Sequence, residues 1–135
     1  MSIIIWNEKY SVGIKVIDEQ HQVWISLINK LHSAMVKGEG SKILADILEE
    51  VVNYTKTHLS FEESLFDKYN YPEKAQHKEI HKKFTNQVID FQKDIKSGTK
   101  VMTLDVMNFL RTWLIDHITK TDKKYTDFFN SKGLR

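Results

Sequence analysis

Residues 77–95 read HKEIHKKFTNQVIDFQKDI. Ile80, Phe84, Val88, Phe91 and Ile95 recur at spacings of three and four, and His77 and His81 extend the series toward the N-terminus. That period belongs to an amphipathic helix; a strand would alternate its apolar positions. Three further segments repeat it. Trp24, Ile28, Leu31 and Met35 share a face of the first, and Leu44, Ile47, Leu48, Val51 and Tyr54 of the second. Val106, Leu110 and Trp113 mark the fourth. The breaks between segments carry stop signals: Gly38-Glu39-Gly40-Ser41, Pro72 after Tyr71, and Ser97-Gly98-Thr99. Helices over about 19–37, 41–66, 73–96 and 101–128, joined by short connections, predict an all-α fold, an up-down-up-down antiparallel four-helix bundle. Residues 1–18 lack the pattern. Ile3, Ile4, Ile5, Trp6, Tyr10 and Ile14 read as an extended apolar arm along the bundle, with Asp18 placed to cap the first helix.

The chain has 135 residues, which suits a single domain with one core, and it shows no internal repeat. Hydrophobic residues at 41% and charged residues at 28% argue for a globular chain and against disorder. A net charge of +2, with lysines spread along the sequence, speaks against nucleic acid as a partner. There is no cysteine, which excludes disulfides, thiolate metal sites and cysteine nucleophiles. The start, MSIIIWNEKY, has neither the basic region nor the apolar length of a signal peptide. No apolar run approaches the ~20 residues needed to span a bilayer. These features predict a soluble, cytoplasmic protein with no membrane partner.

The six histidines are His21, His32, His58, His77, His81 and His117. Each extends an apolar series and so points inward. One inward histidine alone is ordinarily a hydrogen-bonded core residue. Height along the bundle changes that for five of them. In an antiparallel bundle the start of helix one, the end of two, the start of three and the end of four share one end. His21, His58, His77, His81 and His117 all fall there. His32 lies eleven residues beyond His21, roughly 16 Å along the axis at ~1.5 Å per residue, and is expected to be structural. Glu62, four residues after His58, shares its inward face, where an unpaired carboxylate is costly to bury. Glu63 beside it reads as solvated surface. Asp122 follows His117 by five residues, about 140° around an ideal helix. It joins the site through a local distortion such as a π-bulge or by reaching sideways; otherwise it is an exposed partner of Lys120 or Lys123.

Five imidazoles and two carboxylates exceed the six donors one ion takes. Two ions sharing both carboxylates as bridges would use them all, with three histidines on one and two on the other. A bridging solvent oxygen would leave one position open for a small ligand. Sulfur-free donors suit iron, zinc or manganese, and iron is preferred where O2 is the ligand. The spacing is not that of carboxylate-rich di-iron bundles, which use Glu-x-x-His pairs. Nor is HKEIH a zinc-protease motif, because Lys78 stands where that motif needs glutamate.

Taken together, Trp6 and Gly13 ahead of IDEQH (17–21), then HLSFE (58–62), HKEIH (77–81) and WLIDHITKTDKKY (113–125), resemble the hemerythrins, particularly single-domain bacterial members. The resemblance covers nearly the whole chain. It implies seven metal ligands, His21, His58, Glu62, His77, His81, His117 and Asp122, and it includes the histidine-plus-five aspartate as the family's own spacing. It further implies that His77, His81 and His117 hold a coordinatively filled iron and that His21 and His58 hold the iron with the open position. Glu62 and Asp122 would bridge beside an oxo or hydroxo group. The two iron ions would cycle between Fe2+ and Fe3+ as O2 binds and leaves. Trp113 and Leu114 match positions that wall the family's oxygen pocket, and Tyr125 matches a family aromatic without an assigned role. The expected function is reversible O2 binding for carriage, storage or delivery, without catalytic turnover; the reading is compatible with a monomer and names no protein partner. The alternatives are an oxygen, redox or iron sensor, a di-iron enzyme handling peroxide or nitric oxide, and a metal-free bundle. Iron content, reversibility of O2 binding and steady turnover separate them.

Overall fold

The computed structural model describes residues 3–98 and 103–135. Among them the regular elements are all helical: α1 (Lys15–Val36), α2 (Ser41–Tyr69), α3 (Lys74–Lys96), α4 (Leu104–Asp116) and the short α5 (Thr126–Ser131). A π-helical turn, His117–Thr121, and a 3-10 turn, Asp122–Tyr125, join α4 to α5 in one continuous rod. The reading of a fourth helix from residue 101 begins outside the described residues.

α2 packs against both α1 and α3, and α4 packs on α1. Cross-helix pairs give the directions. Gln20 of α1 meets His58 of α2, while Lys30, ten residues on, meets Glu50. His81 of α3 meets Glu62 of α2, whereas Lys96 meets Glu49. Both helix pairs therefore run antiparallel, and the molecule is a four-helix bundle as its periodicity predicts.

Along α2 the buried positions are Ile47, Leu48, Val51, Val52, Thr55, His58, Leu59, Glu62 and Phe66. The stripe is apolar from Ile47 to Val52 and then takes in Thr55, His58 and Glu62 without leaving the core. Burying each Leu, Ile or Phe contributes about 1.5–3 kcal/mol. That apolar end holds the bundle rigid beneath the polar end. Ile80, which the sequence places on the inward face of α3, is instead exposed; the buried stripe runs through His77, His81, Phe84 and Val88, one position away.

α1 starts at Lys15, about one turn earlier than its periodicity suggests, with Ile14 at the N-cap and no side-chain cap. Asp18 is therefore no N-cap. Its carboxylate reaches back to accept from the Val12 backbone N–H at 2.8 Å and from Ser11 Oγ at 2.6 Å. Gly13 makes the preceding turn with φ of +72°, and a Cβ there would lie 3.0 Å from the Thr126 methyl group. Thr126 Oγ1 donates to the Val12 carbonyl at 2.6 Å, pinning the arm to the start of α5. Further out, the Asn29 side chain holds Ile3 and Ile4 by their backbone, and Ile4 is buried.

Candidate metal centre

Four helical segments bring His21, His58, Glu62, His77, His81, His117 and Asp122 into one buried cluster, none of them more than 3% exposed. The ligand-capable atoms fall into two groups that share both carboxylates. Glu62, His77, His81, His117 and Asp122 form one, and His21, His58, Glu62 and Asp122 the other. His32, on the same helix as His21, belongs to neither group.

The π-turn places Asp122. In it the Asp122 backbone N–H donates to the His117 carbonyl, an i+5 bond that closes a turn one residue wider than in an α-helix. Asp122 thereby swings into the core and is fully buried. The alternative of a surface partner for Lys120 or Lys123 is excluded; Lys120 lies beside Asp116 instead.

The carboxylate oxygens divide between the groups. Glu62 Oε1 lies 3.2 Å from His77 Nε2 and 3.1 Å from His81 Nε2. Its Oε2 lies 3.4 Å from His58 Nε2. Asp122 Oδ1 lies 3.1 Å from His77 Nε2 and 3.0 Å from His117 Nε2, while Oδ2 lies 3.2 Å from His21 Nε2. The three Nε2 atoms of the first group also crowd together, at 3.3 Å between His77 and His117 and 3.1 Å between His81 and His117.

Hydrogen bonds alone cannot satisfy this arrangement. His58 Nδ1 lies 2.7 Å from Gln20 Oε1, and His81 Nδ1 lies 3.0 Å from Glu63 Oε2. Both partners only accept, so each Nδ1 carries the proton and the neutral ring presents a lone pair at Nε2. Those lone pairs face carboxylate oxygens, which is repulsive unless a cation lies between them. His21 Nε2, His58 Nε2, Glu62 Oε1 and both Asp122 oxygens are buried without a hydrogen-bond partner. Donors bound at ~2.1 Å in adjacent octahedral positions lie ~3.0 Å apart, a factor of √2. The observed spacings sit at or just above that value, so the donor set fits metal ions in chemistry and in size.

Without a cation, protons take its place. Burial works against a charged His77, but the Asp122 and Glu62 carboxylates overcome it and push the ring up to about 9. Burial lowers His58 below the ordinary imidazole value despite Glu62. Burial would raise Glu62, yet His58, His77 and His81 together hold its carboxyl well below the usual range. Asp122 is likewise depressed: burial and Glu62 raise it, and His117 and His21 outweigh them.

Sequence reasoning missed three supporting residues. Tyr125 is fully buried and donates from its hydroxyl to Glu62 Oε2 at 2.9 Å. Burial and the two nearby carboxylates push its phenol well above 10, so it remains a donor. Gln20 holds His58, and Glu63, which reads as solvated surface, is half-buried and holds His81. Each partner comes from another element, so spacing along one helix gives no sign of it. Trp113 stacks on His117 with centroids 4.3 Å apart and on Phe84 at 3.5 Å, and Leu114 is buried. The aromatic side chain beside His21 and His58 is Trp24, at 6.5 and 5.2 Å, with Trp113 tilted against it at 6.1 Å.

An antiparallel bundle with a buried cluster of imidazoles and shared carboxylates at one end defines a cation-binding helical domain. Residues 12–129 match the hemerythrin HHE cation binding domain. The chain is 32% identical over 127 residues to the bacteriohemerythrin of Stenotrophomonas maltophilia, covering 94% of this chain and 82% of that protein. It is 31% identical over 126 residues to the bacteriohemerythrin of Methylococcus capsulatus, covering 93% and 95%. A crystal structure of wild-type hemerythrin superposes with a TM-score of 0.89 at 28% identity, covering 93% of this chain and 97% of that one. The chain belongs to the hemerythrin family, whose members bind O2 at non-haem iron and are not enzymes. No helix among the described residues is long and apolar enough to cross a membrane.

Proposed function

We propose that the chain is a single-domain, cytoplasmic, reversible O2 binder for carriage, storage or delivery, built around two iron ions. His77, His81 and His117 would hold one ion, and His21 and His58 the other. Glu62 and Asp122 would bridge the pair. The observation that carries this reading is the division of carboxylate oxygens: each carboxylate turns one oxygen toward each imidazole group. Bound there, a ferrous pair would supply the two electrons that reversible O2 binding draws on. With two imidazoles rather than three, the His21 and His58 side would leave more room for O2.

The chain's own residues do the rest. Gln20 and Glu63 fix the tautomers of His58 and His81, keeping Nε2 free as a donor. Tyr125 holds the Glu62 carboxylate in orientation. Trp24 beside His58 and Trp113 against His117 present apolar surface to the site, and buried Leu114 would complete a wall that keeps water from it. A dry wall slows proton and water access and favours release of O2 over irreversible oxidation.

The test is anaerobic reconstitution followed by cycles of O2 and vacuum. Two irons per chain and a visible charge-transfer band that appears with O2 and vanishes under vacuum are expected. Permanent oxidation on first contact with O2, with no reversible species, overturns the carrier role.

A further inference from the structure

We infer that Glu63 is a positioning residue for the metal centre, whose carboxylate strengthens His81 as a donor and favours the higher oxidation state of the ion that His81 holds. The inference rests on the di-iron reading above. Three outward-facing imidazole nitrogens contrast in their surroundings. His81 Nδ1 meets a carboxylate at 3.0 Å, His58 Nδ1 meets a neutral amide at 2.7 Å, and His21 Nδ1 is buried without a hydrogen-bond partner. A hydrogen bond to an anion is about twice as strong as one between neutral groups and moves electron density onto the ring. Added density at Nε2 stabilises the more highly charged ion, and outer partners of this kind tune metal sites.

The backbone builds the contrast in. Glu62 and Glu63 are consecutive on α2, so one turns into the cluster while the other, ~100° around the helix, reaches α3. The Glu63 side chain is 32% exposed whereas that of His81 is 1% exposed. Glu63 and His81 line a groove of about 470 Å³ together with Lys56, Lys78, Glu79 and Lys82. The positioning carboxylate thus meets solvent while the donors it acts on do not. Its charge can be removed without opening the core. Glu79, exposed in the same groove, supplies a charge of the same sign for comparison.

The experiment compares whole-chain wild type, E63Q, E63L and E79Q, each reconstituted with iron without O2. Iron content, far-UV circular dichroism and a redox titration followed by visible absorption are read for each. Gln keeps the acceptor but loses the charge, so E63Q should hold wild-type iron while its ferrous/ferric equilibrium moves about tenfold toward ferrous, ~59 mV for one electron. E63L, without an acceptor, should also bind iron about tenfold or more weakly. E79Q should leave both quantities near wild type. An E63Q potential equal to wild type, or equal shifts in E63Q and E79Q, overturns the role of the hydrogen bond. Failure of wild type to take up two irons is a separate result: it removes the di-iron reading and this assignment with it.

Discussion

His58 and His81 carry their protons on the outward nitrogen because the Gln20 amide oxygen and the Glu63 carboxylate oxygen that face them can only accept, and this would preset two common side chains as metal donors. Tyr125 does the equivalent for Glu62. Y125F would keep the ring against Phe66, Phe129 and His77 but leave Glu62 Oε2 short of its phenolic donor. Leaving a buried acceptor unsatisfied costs about 1–3 kcal/mol, so the metal-free variant should be less stable by that amount and show a lower urea midpoint. An unchanged midpoint would mean the hydroxyl carries no weight. H77A should remove most bound iron, since His77 Nε2 contacts both carboxylates, whereas H32A should retain it because His32 stands outside both groups. Equal iron in the two variants would refute the ligand assignment. Six of the seven candidate donors are legible from helical spacing, since each shares a face with apolar residues; Asp122, five residues after His117, is legible only through the family resemblance. Gln20, Glu63 and Tyr125 are not legible, because their roles depend on which side chain of a neighbouring helix lies opposite.

At the scale of elements, the wide turn His117–Thr121 is the least regular part of the bundle and the one the site depends on. Its sequence, HITKT, carries three β-branched residues, and Thr119 Oγ1 donates to the Ile115 carbonyl at 2.7 Å. Such side-chain bonds compete with regular helix and bend it. The five-residue offset of Asp122 demands a distortion, yet no composition signature separates a π-turn from a sideways reach, so both alternatives stand until the backbone is seen. A π-turn absorbs one extra residue without changing the direction of the helix beyond it. Deleting exposed Lys120 should therefore restore an α-turn, keep Asp122 beneath His117 and preserve most bound iron. Inserting alanine between Lys120 and Thr121 should rotate Asp122 by ~100° and sharply lower iron content at similar helicity. An insertion variant with full iron would show that Asp122 is dispensable. The start of α1 was hidden for a related reason: Gly13 and the contacts of Val12 and Ser11 with Asp18 set it, and they carry no helical period.

Across the whole molecule, the bundle encloses at one end a set of charges that folding alone does not balance, so its stability depends on pH and metal together. In the metal-free chain Glu62 and Asp122 are depressed, so their contribution is present above the ordinary carboxylate values and is lost as pH falls. His77 is raised to about 9, so its contribution is complete below about 6.5 and is lost as pH rises through 9. For these groups the metal-free chain is most stable between the carboxylate range and about pH 6.5. Metal must displace the His77 proton, so its apparent affinity should rise with pH up to about 9, by up to about 1.4 kcal/mol per pH unit for that one proton. The gap in Tm between loaded and stripped protein should therefore widen from pH 6 to pH 9, because the stripped form weakens while the loaded form has no His77 proton left to lose. Acid should close the gap by returning protons to the donors and releasing the ions. Redox-inert Zn2+, which accepts the same donors, separates this linkage from oxidation chemistry. A gap that stays constant with Zn2+ across this range would show that His77 carries no proton in the stripped chain, and the electrostatic account of the cluster would fail.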